Sequence, residues 1–396
     1  MSISKDLLNS FRMTFKTDPE FYISSGGRLE ILGNHTDHNH GLCIVANCSL
    51  RMKTLVRARE DGMVRVKSKG YKLFEFPIDD LHAKESEYKT SLAMAKGVLF
   101  KLRELGYKIG GFEAYIDSEI PGGAGVSSSA AFESLIGFIT SYLYNDRKID
   151  DLVIAKVGQF SENNYFHKPC GLLDQIGTSF RSCNSIDFKD IENPTIKTID
   201  FNLPLSLYLI NSEGNHSNLV DLYAGIPNGM YAVAREYGHE FLRDLTEEQV
   251  NDFKTRYESG ELSTGEKEPM YRKAKHFFNE NETVKQGTKA LETNDVDLFL
   301  DAVRKSQDSS FRNIENTYVK GEYEGSPQYI IDVLSEKINE YGAIRIHGGG
   351  FKGSVLAFIK NGHEEEFEDI LNKHFSKNGF WKVNISNNNV EYEEIK

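Results

Sequence analysis

A chain of 396 residues is too long for one ordinary hydrophobic core, so two domains are expected. With 27% charged residues, a net charge of -12 and no basic cluster, it is a poor candidate for binding nucleic acid or an anionic membrane. No run approaches the roughly 18 apolar residues of a membrane span, residues 1–20 lack a signal-type apolar core, and Cys43, Cys48, Cys170 and Cys183 show no metal or C-x-x-C spacing, so a cytoplasmic protein with reduced thiols is expected.

In chain order, residues 27–41 read G-R-L-E-I-L-G-N-H-T-D-H-N-H-G and concentrate polar side chains as a site for a hydrophilic ligand would. His35, Asp37, His38 and His40 outline a metal cluster, but no acidic or cysteine ligand follows at a recognised spacing. Phe112, Ala114 and Ile116 alternate with Glu113, Tyr115 and Asp117, which predicts a half-buried strand. Phe132, Leu135, Ile136, Ile139 and Leu143 then fall at helical spacing. Between them lies a loop of Gly122, Gly123, Ala124, Gly125, Val126, Ser127, Ser128 and Ser129. Its glycines permit close backbone approach, its serines offer hydroxyls, and the first helical turn offers free amides and a favourable dipole. That is a phosphate site in outline, without the G-K-[ST] of the lysine-containing P-loop. Asn193-Pro194 and Asn202-Leu203-Pro204 are turn signals that set a domain boundary near residue 200. Residues 235–300 alternate in charge sign, as a solvated helical surface does. Gly348, Gly349 and Gly350 predict a tight turn between strand-like residues 343–346 and 355–359, which either closes a site or only reverses the chain.

Residues 121–131, P-G-G-A-G-V-S-S-S-A-A, resemble the nucleotide-binding motif of the GHMP small-molecule kinases. Residues 27–41 resemble the galactokinase signature more than that of any other branch. C-G-L-L-D-Q at 170–175 is similar to the segment that carries the galactokinase catalytic aspartate, and R-I-H-G-G-G-F-K-G-S at 345–354 to the third, glycine-rich family motif. These segments keep the family order across most of the chain.

The resemblance implies an α+β, two-lobed architecture, with residues 1–200 as N-terminal domain, 201–396 as C-terminal domain and the active site between them. It also implies an ATP- and Mg2+-dependent kinase that phosphorylates the anomeric hydroxyl of galactose to α-D-galactose 1-phosphate. Its partners would be a small sugar and ATP, with no nucleic acid and no membrane, in a monomer or weak homo-oligomer. Asp174 would accept the hydroxyl proton, and Arg28 would keep that carboxylate ionised and stabilise charge in the transition state. Asn34, His35, Asp37, Gly171 and Tyr223 would contact the sugar, the loop 122–129 would hold ATP, and Ser129 with Glu162 would ligate Mg2+. His216 and Tyr223 keep a seven-residue interval seen in galactokinases.

Several departures bear on the substrate. Asn34 stands where galactokinases carry an acidic partner for the sugar O6, so a 6-deoxy, 6-carboxyl or pentose sugar is expected to be tolerated. Glu30 replaces an asparagine, His167 a glycine, and His347, Gly349 and Lys352 alter the third motif. Galacturonate, L-arabinose and N-acetylgalactosamine are therefore alternative substrates. A sugar and ATP sensor without catalysis is disfavoured by the intact serine loop with Arg28 and Asp174, and other GHMP enzymes by G-N-H-T-D-H-N.

Overall fold

The computed structural model describes residues 3–212, 219–262, 267–375 and 379–395. Strands β1 (Phe21–Leu32), β2 (Leu42–Arg59), β3 (Met63–Ser68), β4 (Phe74–Pro77), β5 (Gly111–Ser118), β6 (Cys183–Asp187) and β7 (Thr195–Ile199) form one sheet. Strands β8 (Leu205–Asn211), β9 (Gly342–His347), β10 (Ser354–Lys360) and β11 (Phe380–Val383) form a second, and β12 (Val390–Glu394) returns to the first beside β1. The helices are α1 (Lys5–Phe15), α2 (Ser91–Glu104), α3 (Ser128–Tyr144), α4 (Asp151–Ser161), α5 (Leu173–Ser179), α6 (Val220–Glu236), α7 (Glu247–Glu258), α8 (Lys267–Thr293), α9 (Val296–Ser309), α10 (Pro327–Ile338) and α11 (Glu364–His374). The class is α+β, as expected.

The first sheet runs β12-β1-β2-β5-β3-β4. The long β2 is shared, its residues 42–46 pairing with β6 and its residues 52–59 with β5. The predicted strand and helix appear as β5 and α3. The alternation in β5 predicts one wet face, yet Glu113 and Tyr115 are buried. The reason is that α1 lays Leu7, Phe11 and Phe15 over Tyr115, while Arg59 and Arg65 pair with Glu113.

The second sheet is buried on both faces, with the period of two that a strand imposes. Leu207, Leu209, Leu356 and Phe358 join the core of the first sheet. Tyr208, Ile210, Val355 and Ala357 pack instead with Ile331 and Leu334 of α10 and Phe367 of α11. Because β7 and β8 lie in different sheets, we propose the division of the chain near residue 200, amended by the return of β12. Arg51 fixes that return by donating to Ser24 O, Asn388 O and Asn389 O. Residues 235–300 are largely helical, but α8 is more than a solvated surface: His276, Phe277 and Glu280 on it are buried. Among the described residues no helix is long and apolar enough to cross a membrane.

Candidate active site

The glycine and serine loop is pinned from below and open above. Ala124 and Val126 are buried in the core, Val126 O accepts from Arg28 N at 3.0 Å, and Ser354 Oγ donates to Ala124 O at 2.5 Å. Between these anchors Gly123 (φ +78°) and Gly125 (φ +69°) take the left-handed conformation that side chains disfavour. A Cβ at Gly122 or Gly123 would meet no atom within 4 Å. Ser127, just before α3, does not cap the helix; its hydroxyl donates to Asp174 Oδ2 at 2.7 Å. The first intrahelical bond runs from Ala131 N to Ser127 O, so the amides of Ser128, Ser129 and Ala130 remain for an anion. The loop lines a cleft of about 290 Å³ with Lys168, Tyr223, His347 and Lys352. Gly122 and Ala124 do not reach that wall.

Asp174 lies in the first turn of α5, opposite the loop. Arg28 of β1 donates through Nε to Asp174 Oδ1 at 2.9 Å, pairs with the same oxygen through Nη2, and donates through Nη1 to Gly125 O at 2.9 Å. Its stem can cross α5 because Gly177 is there: a Cβ would stand 2.2 Å from Arg28 Cγ. Arg28 is buried, whereas 32% of the Asp174 side chain stays open to the cavities. Burial alone would raise the Asp174 pKa, but the Arg28 charge and the Ser127 hydroxyl outweigh it and hold the carboxyl below its ordinary 3.8.

Arg28, Lys168, Asp174, Gly348 and Gly349 also line a second cavity of about 300 Å³, whose remaining wall includes Glu30, Asn34, His35, Asp37 and Gly171. The polar turn of residues 33–41 is held by α8. Glu280 Oε2 accepts the N–H groups of Gly33 and Asn34 at 3.0 and 3.1 Å, and His276 Nε2 donates to Asn34 O at 2.8 Å. His35 Nε2 donates to Gly349 O at 2.9 Å. Burial, aided by neighbouring His38, lowers the His35 pKa to about 3, so the ring is neutral. The Asp37 carboxylate lies 3.5 Å from His38 Nε2, and Gly171 makes room for it, since a Cβ there would stand 2.8 Å from Asp37 Oδ2. His40 stacks on Phe241 instead of joining His35 and His38. Among the described residues no group of three or more His, Cys, Asp or Glu is placed to hold a metal.

Two predicted sugar contacts are occupied differently. Asn34 is on the cavity wall, but its amide donates to Glu30 Oε1 and Gly348 O, both at 2.8 Å, and its oxygen accepts from Asn316 at 2.8 Å. Tyr223 lines the loop cleft, not the second cavity, because its hydroxyl donates to Gly350 O at 3.1 Å and its ring sits over Gly349, where a Cβ would clash at 2.7 Å. His216 lies outside the described residues. The consecutive carbonyls of Gly348, Gly349 and Gly350 thus take bonds from Asn34, His35 and Tyr223, which makes the third motif a wall between the two spaces.

The other departures from the family pattern also have a place. His347 Nε2 accepts Glu30 N–H at 3.0 Å, and burial keeps that ring neutral. His167 takes φ +59° where a glycine is usual, with its ring against Tyr88. Glu30 is pushed up by burial, opposed by Arg345 and Arg28.

Glu162 is buried, and its Oε1 receives Ser129 Oγ at 3.1 Å and Lys168 Nζ at 2.9 Å, while Gln175 Nε2 meets Oε2 at 2.9 Å. Two adjacent oxygen donors suit a hard cation, and Lys168 holds a positive charge at that point. Glu133, which the sequence reading passed over, is buried alongside, its carboxyl raised by burial and by the Glu162 charge. A larger groove of about 870 Å³ along α8 and α9 contains none of the predicted site residues.

Comparison with known proteins matches residues 93–181 to the GHMP kinases N terminal domain and residues 9–58 to the galactokinase galactose-binding signature. A galactokinase of Clostridium perfringens is 28% identical over 376 residues, 91% of each chain. One of Limosilactobacillus reuteri is 25% identical over 389 residues, 93% of each. A crystal structure of Lactococcus lactis galactokinase complexed with galactose superposes with a TM-score of 0.79 at 23% identity, over 98% of this chain and 99% of that one. A mevalonate kinase of L. major in complex with R-mevalonate gives 0.62 at 15% identity, over 94% and 96%.

Proposed function

From the premise that the chain belongs to the galactokinase-like branch of the GHMP kinases, and is a phosphotransferase of the sugar-kinase kind, we propose a specific reaction. It transfers the γ-phosphoryl group of ATP to the anomeric hydroxyl of galactose, giving α-D-galactose 1-phosphate, ADP and a proton. The observation that carries this reading is that Arg28 and Asp174 line both cavities at once, so one carboxylate faces an anion-binding helix start and a polar cavity. Phosphoryl transfer asks a protein for this arrangement: an in-line hydroxyl, a proton acceptor and positive charge around the phosphoryl oxygens.

Asp174 accepts the hydroxyl proton; Arg28 holds it in register and adds charge near the transferred group. The free amides at the start of α3 and the glycines of the loop bind the phosphates of ATP, and Asp37 and His35 bind sugar hydroxyls. Ser129 and Glu162 are the oxygen donors for Mg2+, which when bound neutralises phosphate charge. An ADP-release assay over a panel of aldoses and uronic acids, with the product identified by phosphorus NMR, tests the reading. ADP release that is independent of any sugar would overturn it.

Two further outcomes follow. Ser129→Ala and Glu162→Gln should each raise the Mg2+ concentration needed for half-maximal rate, because each removes an oxygen donor; saturation of both at the wild-type concentration would remove them from the metal site. A proton acceptor works ionised, and the Asp174 pKa lies below 3.8. The wild-type kcat/KM should then show no limb from Asp174 from about pH 5 upward. Ser127→Ala, which deletes a bond to the ionised form, should move that limb to higher pH. A profile identical to wild type would mean that Ser127 does not support Asp174.

A further inference from the structure

Glu30 is an acidic side chain on the wall of the second cavity that the mechanism above leaves unused. It stands two residues after Arg28 on β1, where the pairing with β2 is regular: Arg28 opposite Asn47, Leu29 opposite Ala46, Glu30 opposite Val45. Alternation therefore puts Arg28 and Glu30 on one face, roughly 7 Å apart along the strand, while Leu29 joins the core on the other. That separation is on the scale of one pyranose ring.

The surroundings of Glu30 hold it still. Its Oε1 accepts from Asn34 Nδ2 at 2.8 Å and faces Arg345 Nη2 at 3.5 Å. Arg345 is itself fixed by donating to Glu30 O at 2.9 Å and Ile31 O at 3.0 Å. Asn34 is fixed by Gly348 O and Asn316. Among the described residues nothing donates to the second oxygen, Oε2, and 8% of the side chain remains accessible. Compared with the family pattern, acid and amide have exchanged places four residues apart. The chain carries its carboxylate at 30 and the amide that steadies it at 34.

We propose that Glu30 determines sugar specificity, accepting a hydroxyl at the end of the cavity away from Asp174 while Asn34 acts as its positioning residue. The substrate class is then a neutral hexose with a free hydroxyl on its exocyclic carbon. A sugar with a carboxylate there would meet Glu30 across a desolvated gap and be rejected. This reverses the tolerance of uronic acids expected from Asn34 alone, because the charge on that wall has moved and not vanished.

The proposal rests on the sugar-kinase reading, and its test separates the two. kcat/KM is measured for galactose, 6-deoxygalactose and galacturonate with wild type, Glu30→Gln and Glu30→Asp, and binding of galactose and 6-deoxygalactose without ATP is measured by calorimetry. Each ratio of sugars is taken on one preparation, so a partly folded variant still gives a valid ratio. Wild type should prefer galactose over 6-deoxygalactose by about 10- to 100-fold, the range for a hydrogen bond to a charged group. Glu30→Gln should shrink that preference to a few-fold and raise galacturonate relative to galactose; Glu30→Asp should fall between. An unchanged galactose to 6-deoxygalactose ratio in Glu30→Gln, or a wild type that prefers galacturonate, overturns the proposal. If wild type releases no ADP with any sugar, the kinase reading fails, and the calorimetric ratios still decide whether Glu30 reads the hydroxyl. A wild type that binds no galactose overturns both.

Discussion

Asp174→Asn is expected to lower kcat by about 10²- to 10⁴-fold, the range for loss of a positioned proton acceptor, while ATP affinity stays nearly unchanged. The amide keeps the shape of the carboxylate, so Ser127 and Arg28 can still lie against it, but it accepts no proton. The tether from Arg28 Nη1 to Gly125 O does not involve Asp174, so the phosphate loop should hold its form. ATP binding by calorimetry and kcat under saturating sugar separate the two effects. An equal loss of nucleotide affinity would make Asp174 part of the nucleotide or metal site. A thermal melt is the necessary control, because Arg28 is buried and loses its charge partner in this variant.

The parts of this site that are legible in the sequence are those whose chemistry is local. The loop at 122–129 can be read because glycine, serine and the switch from period two to helical period lie side by side, and β5 and α3 bear that out. What stayed hidden depends on contacts between distant segments. Glu280 and His276 hold the backbone of Asn34, yet they sit in a stretch whose alternating charges look like a solvated helix. Ser127 reads as one more hydroxyl of the phosphate loop, and its bond to Asp174, 47 residues away, has no local sign. Residues 390–394, V-E-Y-E-E, have too little apolar pattern to announce a strand, and β12 exists because β1 offers an open edge and Arg51 ties down the approach. The amide at position 34 reads in the sequence as a neutral cavity wall, and its bond to the Glu30 carboxylate, four residues back, belongs to the fold.

Arg28→Lys should be the second most damaging change, and it should differ in kind from Asp174→Asn. One guanidinium makes three bonds in two directions, two to Asp174 Oδ1 and one to Gly125 O. A lysine ammonium is a point charge on a flexible stem and cannot fill both directions in a fixed plane. Either Asp174 loses its partner or the loop carbonyl does. The expected result is a fall in kcat of about 10²- to 10³-fold, the size reported for removal of one charge-stabilising donor, together with a raised KM for ATP that Asp174→Asn does not show. The double variant should be little worse than the more damaged single, because the two residues act as one unit. Near-normal turnover in Arg28→Lys would remove the arginine from the catalytic set. Fully additive losses would mean that Arg28 serves the loop and Asp174 serves the sugar, with no coupling between them.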